Sequence, residues 1–304
     1  MEQVCIIIVT YNAEKWFSKS LDRLKDVPSG YKIIVVDNCS TDDTCELLRV
    51  NYPDVHMISS PVNLGFGQAN NLGLEEALKY GYSWFLLLNQ DAYISWENIN
   101  KLVEVAKLNT HYGIISPIHL FSDSQIDFTH RKHILSKNEE LLSDLLLTGS
   151  CKEIYDFKIT NAAIWLLPRF TIEIVGGFDP LFFHYGEDND YCLRTLQNNL
   201  KIGICPKIIG YHYRPQDDSN FIKNQNYYYV NYLISVIYGK RILGIMYLSF
   251  LKENILNILR NRPALEVVRF RFLALWKLIL NYNLVKLRRR IHTDKYRYLK
   301  LNGN

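Results

Sequence analysis

The chain has 304 residues, 48% of them hydrophobic and 22% charged, with no low-complexity tract; this is the composition of a soluble globular protein, long enough for one large domain or one domain with a smaller appendage. The net charge of +4 is uneven, because residues 260–300 carry twelve Lys or Arg against two acids, +10, while the rest of the chain carries −6, so the basic character belongs to the tail. Six scattered cysteines (Cys5, Cys39, Cys45, Cys151, Cys192, Cys205) contain no Cys-x-x-Cys pair, which argues against a zinc cage or a disulfide framework and suits a reducing compartment.

The N-terminus opens directly into strand-like residues, with no basic region ahead of a cleavable apolar stretch, so no secretory signal is read. No run reaches the ~18 apolar residues of a membrane-spanning helix. The continuous apolar run Val4–Thr10 predicts a strand buried on both faces. Residues 14–26 have helical spacing, with Trp16, Phe17, Leu21 and Leu24 on or near one face. A second strand over 32–37 ends in Asp37-Asn38-Cys39-Ser40, and Thr41 or Asp42 caps a helix through Val50. A third strand (55–59), a helix (70–80) ended by Gly81, a fourth strand (83–88) and a helix (99–108) follow. This alternation predicts a mostly parallel sheet with helices on both faces. The segment 119–156 is polar and lacks strand signals. Strand character returns over 158–167, a short helix over 188–198, and closing strands over 201–204 and 208–212. After Arg214 a polar loop marks a boundary, which gives two regions, 1–215 and 216–304, the second helical and basic.

In such sheets ligands bind beyond the carboxyl ends of the strands, and the polar residues collect there: Thr10-Tyr11-Asn12, Asp37-Asn38, the Asn63–Asn71 stretch, and Asn89-Gln90-Asp91. Tyr11 can stack a nucleobase, and Asp37 can accept a hydrogen bond from a pyrimidine N–H. Gly65 and Gly67 let backbone approach a ligand, and Asp91 can hold a hard divalent cation that bridges phosphates. Any one of these alone reads as a turn or a helix cap; four on one rim read as a site. A dinucleotide-binding Rossmann turn is excluded, because Thr10-Tyr11-Asn12-Ala13-Glu14 contains no glycine and Gly65-Phe66-Gly67 follows the third strand without a third glycine. A phosphate-binding G-x-x-x-x-G-K-[ST] loop is absent. A second cluster places Glu187, Asp188 and Asp190 at a helix start behind Gly177-Phe178-Asp179; acids favoured by the helix dipole are the bland alternative. His212 and Arg214, at the end of a late strand, can serve a metal and a phosphate.

Together, Val9-Thr10-Tyr11-Asn12, the run Val36–Thr44, Asn63–Asn71, Leu88-Asn89-Gln90-Asp91-Ala92 and the Gly177–Arg194 segment resemble the family 2 glycosyltransferases of the GT-A fold. The resemblance covers roughly residues 4–214 and looks most like the rhamnosyltransferase branch. It implies an α/β, GT-A nucleotide-sugar-binding fold with a C-terminal helical extension. It also implies an inverting transfer from a nucleoside diphosphate sugar, with L-rhamnose from dTDP-rhamnose as the leading donor, to a hydroxyl of a growing glycan or lipid-linked acceptor. Carried over residue by residue, the donor would be held by Thr10, Tyr11, Asn12, Asp37, Asn38, Asn63, Gly65, Asn70, Asn89 and Gln90. Mg2+ or Mn2+ would sit on Asp91 and His212, and phosphate on Arg214. Asp188 would be the base, with Glu187 beside it. Asn89 stands where the family's metal motif has its first Asp, so a fully acidic pair is absent. A catalytically inactive nucleotide-sugar or glycan binder is the alternative; a nucleotidylyltransferase would need a Gly-rich basic loop that is missing. The basic, apolar tail implies peripheral association with the inner face of a membrane from a cytoplasmic location, or else a helix packed on the catalytic domain. No recognition motif for nucleic acid is present.

Overall fold

The structure, a computed structural model, describes residues 3–135, 138–213, 225–239, 243–261, 265–288 and 297–301. β1 (Val4–Thr10) is apolar except at its end and is buried at every position. It pairs in parallel with β2 (Tyr31–Asp37) on one side and β4 (Trp84–Asn89) on the other. β3 (His56–Ser59) adds a parallel edge beside β2. Alternate β1 residues enter two separate cores: Val4, Ile6 and Ile8 on one face, Cys5, Ile7 and Val9 on the other. This is why the strand reads as a continuous apolar run. α1 (Thr44–Asn51), α2 (Gly65–Leu78) and α3 (Trp96–Leu108) follow β2, β3 and the β4–β5 segment, with β5 at Ala92–Tyr93.

Beyond β4 the sheet becomes mixed. β9 (Ile164–Pro168) runs antiparallel between β4 and β6 (Tyr112–Ser122). β10 (Lys201–His212) lies parallel to β6, and β5 closes the path antiparallel to β10, for the order β3-β2-β1-β4-β9-β6-β10-β5. Short strands β7 (Gln125–Ile126) and β8 (Tyr155–Phe157) pair with β6 and β10. The two closing strands expected over 201–212 are one strand. Its register to β6 slips between Cys205 and Ile209, opposite Pro117 and Ile118. Proline cannot donate to a ladder and is tolerated at such a bulge.

Residues 14–26 form two 3-10 turns, Glu14–Lys19 and Leu21–Leu24, instead of one α-helix. The break is Ser20, whose hydroxyl donates back to the Trp16 carbonyl at 3.0 Å and so competes with regular helix continuation. α2 begins at Gly65, earlier than the periodicity places it. α4 (Phe128–Leu135), α5 (Glu139–Leu147), α6 (Arg169–Val175) and α7 (Glu187–Gln197) complete this part.

The described residues fall into two compact units. The first holds residues 3–183, 187–213 and 297–301; the second holds 184–186 and the helices α8 (Gln225–Tyr238), α9 (Leu243–Asn261), α10 (Leu265–Leu280) and α11 (Tyr282–Arg288). Residues 297–301 thus belong with the sheet, not with the helices that precede them. Their placement rests on hydrogen bonds to distant loops, which periodicity does not reveal.

Gly73 shows how tightly α2 lies on the sheet. A Cβ there would sit 2.4 Å from Ile7 Cγ2 and 3.3 Å from Val36 Cγ2. Alanine normally favours a helix over glycine by ~1 kcal/mol, but overpacking costs ~1–3 kcal/mol, so the steric effect should win. Gly73→Ala is expected to lower the urea midpoint without changing the denaturant slope.

Candidate active site

The rim is organised by Asp37, the last residue of β2, only 2% exposed. Its Oδ1 accepts from the hydroxyls of Thr10 (3.1 Å) and Ser40 (2.5 Å), and its Oδ2 from the Ser40 amide (3.1 Å). The Cys45 thiol also hydrogen-bonds to this carboxylate, so the about four acceptor positions of a carboxylate are largely taken up by protein donors. Asn12, in the left-handed region at φ 50, joins the first two loops. Its amide donates to Ser40 Oγ at 2.9 Å, and its Oδ1 accepts from the Thr41 amide at 2.8 Å. Asn38 extends the net to the third loop: its Oδ1 accepts from Leu64 N at 2.8 Å and its Nδ2 donates to Asn63 Oδ1 at 3.1 Å. Gln90 joins the fourth, accepting from Tyr11 N at 2.7 Å and donating to Tyr11 O at 3.3 Å. With its backbone held this way, the Tyr11 ring stands 45% exposed, free to stack. Asn70 is buried and donates to its own helix at Phe66 O (3.0 Å).

The glycines of the third loop make room for protein. Gly65 has φ +77, and a Cβ there would lie 2.0 Å from the Phe183 carbonyl oxygen. One on Gly67 would lie 2.8 Å from Phe178 Cβ and 3.5 Å from Glu187 Cβ. The close approach expected of a ligand is therefore made by the loop that leads to the acids, and the second cluster packs onto the first. Asn71 locks that loop: its Oδ1 accepts from Phe178 N (2.7 Å) and its Nδ2 donates to Phe178 O (2.9 Å). The C-terminal segment adds a second hold. Gly177 N donates to Arg297 O at 2.7 Å, and the Tyr298 hydroxyl to Asp179 Oδ2 at 2.8 Å.

The three acids at the start of α7 have different surroundings. Asp190 is buried in an ion pair with Arg194 (2.9 Å), whose other nitrogens donate to the carbonyls of Val175 and Gly177. Glu187 is 8% exposed, with a buried Oε2 that has no hydrogen-bond partner. Burial first, then the neighbouring Asp188, push its pKa up to about 8. Asp188 is half-buried, and its Oδ1 accepts from Asn189 N at 2.8 Å.

Asp91 and His212 meet at the far end of the rim, where β5 pairs with β10 and Tyr213 N donates to Asp91 O at 2.8 Å. His212 Nε2 lies 3.5 Å from Asp91 Oδ1, and its Nδ1 lies 3.4 Å from Asp127 Oδ2. Burial disfavours protonation of His212, but Asp127 and Asp91 outweigh it and raise its pKa. Among the described residues no group of three or more His, Cys, Asp or Glu side chains is placed to hold a metal ion. The donors that do converge, a carboxylate oxygen and an imidazole nitrogen, fit Mg2+ or Mn2+ if diphosphate oxygens fill the other positions. Asn89, two residues before Asp91, keeps a buried Oδ1 without a hydrogen-bond partner. Arg214 lies outside the described residues.

The model of the family Glycosyl transferase family 2 matches residues 5–165. The chain belongs to the family 2 glycosyltransferases. Rhamnosyltransferase WbbL of Escherichia coli (strain K12) is 28% identical over 258 residues, 79% of this chain and 95% of that protein. The dTDP-rhamnosyl transferase RfbF of Shigella flexneri is 27% identical over 207 residues, 68% of this chain and 67% of that protein. Among solved structures, mannosyltransferase PcManGT from Pyrobaculum calidifontis, in complex with GDP-Man and Mn2+, superposes with a TM-score of 0.56 at 16% identity, covering 91% of this chain and 75% of that one. The α/β architecture described above is the GT-A fold of these glycosyltransferases.

Three residues that hold this candidate site together escape the sequence reading. Asn71 sits inside the Asn63–Asn71 run but reads as a helix residue. Ser40 reads as part of a turn. Asp127 lies in the segment without strand signals. The only available cue was the placement of Asn71 and Ser40 within the family-like runs.

The proton on Glu187 gives a pH test. Its folded pKa lies above the ordinary carboxyl value, so its contribution to stability is full below pH ~4.5 and is lost as pH rises toward 8. Glutamine mimics the neutral acid. Glu187→Gln should melt near wild type at pH 5 and above it at pH 8, by scanning calorimetry; a difference that does not grow with pH would contradict the buried neutral acid.

Proposed function

We propose that this chain is an inverting, metal-dependent glycosyltransferase. It moves a sugar, with L-rhamnose from dTDP-rhamnose as the leading donor, to a hydroxyl of a growing glycan or lipid-linked acceptor. The observation that carries the reading is the packing of the acid loop onto the donor rim, with the Phe183 carbonyl where a Cβ of Gly65 would stand. It supports the reading because the acid loop and the rim loops pack together within one unit. The names of the two relatives support rhamnose and, in one, the thymidine diphosphate.

Tyr11 stacks the base, and the Asp37 acceptor takes its ring N–H. Asp91 and His212 are the residues that would hold the divalent cation. When bound, that ion offsets charge developing on the departing diphosphate. Asp188 takes the acceptor proton as the new bond to the anomeric carbon forms; a single base on the opposite face suffices for inversion. Glu187, neutral in its buried site, places no second negative charge beside Asp188 and supports its helix turn.

The second unit supports a peripheral membrane site. Along α9 the residues Ile245, Leu248, Leu251, Ile255 and Leu259 are exposed at helical spacing, Leu248 at 67%. On α10, Leu265, Phe272, Trp276 and Ile279 do the same, Trp276 at 60%. Arg260, Arg269 and Lys277 lie on these helices, and no described helix is long and apolar enough to cross a membrane. Apolar stripes with basic neighbours suit the interface of an anionic bilayer from a cytoplasmic location.

Two measurements test the proposal. Asp188→Asn should lower turnover by ~10²–10⁴ while donor affinity, read from the melting shift with thymidine nucleotides and Mn2+, stays near wild type; donor binding without transfer or donor hydrolysis in wild type would make the chain a binder. Flotation with phosphatidylserine vesicles should fall as salt rises and fall further in Leu248→Glu/Trp276→Glu, whereas equal flotation of that variant would remove the helices as the anchor.

A further inference from the structure

Behind His212 lies a set of polar side chains that donor binding and base chemistry do not use. Asp127, His119 and His130 are fully buried. His119 and His130 stack with centroids 4.2 Å apart, and His119 meets the His212 ring edge-on at 6.3 Å. Ser116 Oγ lies 3.0 Å from His119 Nε2 and donates to Ile164 O at 2.9 Å. Such a group needs a reason to stay in an apolar sheet interior, since each buried polar atom costs stability unless it is partnered.

Asp127 is fixed on three sides. Its amide donates to His119 O at 2.9 Å, and its carbonyl accepts from Arg131 N at 2.8 Å. Its Oδ1 accepts from His130 N at 2.9 Å, capping α4. Its Oδ2 lies 3.4 Å from His212 Nδ1, a buried nitrogen that makes no hydrogen bond of regular geometry among the described residues. The opposite ring nitrogen, Nε2, faces Asp91. An imidazole that gives its N–H to a carboxylate on one side keeps its lone pair on the other, and such outer partners set both tautomer and orientation of metal-binding histidines.

We propose that Asp127 is a positioning residue: it holds the proton on His212 Nδ1, so that Nε2 is offered as a cation ligand beside Asp91. The proposal rests on reading Asp91 and His212 as the ligands of the divalent ion. The geometry makes a sharp substitution available. In Asp127→Asn the Oδ1 can still cap α4, while Nδ2 takes the place of Oδ2 and donates to Nδ1. The His212 proton then moves to Nε2, which can no longer ligate.

The test uses the full chain labelled with 15N-histidine, with His212 signals assigned by their loss in His212→Gln. Spectra are taken above the pH at which His212 loses its second proton. Wild type should show the Nδ1–H form and Asp127→Asn the Nε2–H form, at unchanged melting temperature. Mn2+ with saturating thymidine diphosphate, titrated by the electron spin resonance of the free ion against a nucleotide-only control, should bind ~10–100-fold more weakly to the variant. Asp127→Ser, which retains a capping oxygen but supplies neither carboxylate nor amide, should fall between the two. A wild-type Nε2–H form, or a swap of tautomer that leaves Mn2+ affinity within twofold while Asp91→Ala abolishes it, overturns the proposal. Failure of the underlying cation reading looks different: Mn2+ binding would survive Asp91→Ala, and the tautomer of Asp127→Asn would then decide the role of Asp127 by itself.

Discussion

A buried carboxylate must be met by donors or it unfolds the loop that carries it, and Asp37 is met by the hydroxyls of Thr10 and Ser40, the Ser40 amide and the Cys45 thiol. Thr10 ties it across to β1, and Ser40 closes its own turn over it. From there the bonds run outward: Ser40 receives the Asn12 amide, Asn38 receives Leu64 N, and Gly65 accepts the close passage of Phe183. Two strand ends, the third loop and the acid loop are therefore positioned from one carboxylate. The parallel register of β1 and β2, which sets Thr10 opposite Asp37, is what allows the first of these bonds.

The three acids of α7 show how one local sequence is divided by its surroundings. All lie within one helical turn, where the dipole treats them alike. Arg194 pairs with Asp190, burial pushes the Glu187 pKa up, and Asp188 stays half-buried with its Oδ1 accepting from Asn189 N.

The parallel half of the fold was legible because each of its strands is short, apolar and stops at a polar tip; the period of the side chains carries that information. The rim residues came with it. Other parts were hidden for physical reasons. β6 contains Pro117, and β10 slips register opposite it. The 3-10 turns of residues 14–24 depend on a Ser20 side-chain bond that competes with helix periodicity. Gly65 and Gly67 announced close approach, but the partner, Phe178 and Phe183, is more than a hundred positions away. Asp127 gave no signal because a single acid in a polar stretch is ordinary, and only the fold sets it against His212.

The loop that carries the acids is held by residues far apart in the chain. Asn71 reaches Phe178 across 107 positions and Tyr298 across 227, with the whole helical unit strung between Phe178 and Tyr298. Contacts of such separation are slow to form, because loop closure must precede any gain from them. The β1–β2–β4 rim can assemble from the first ninety residues, whereas the segment bearing Asp188 waits for the chain to return. Folding should therefore bring the β1–β2–β4 rim together before the loop that bears Asp188 is locked against it.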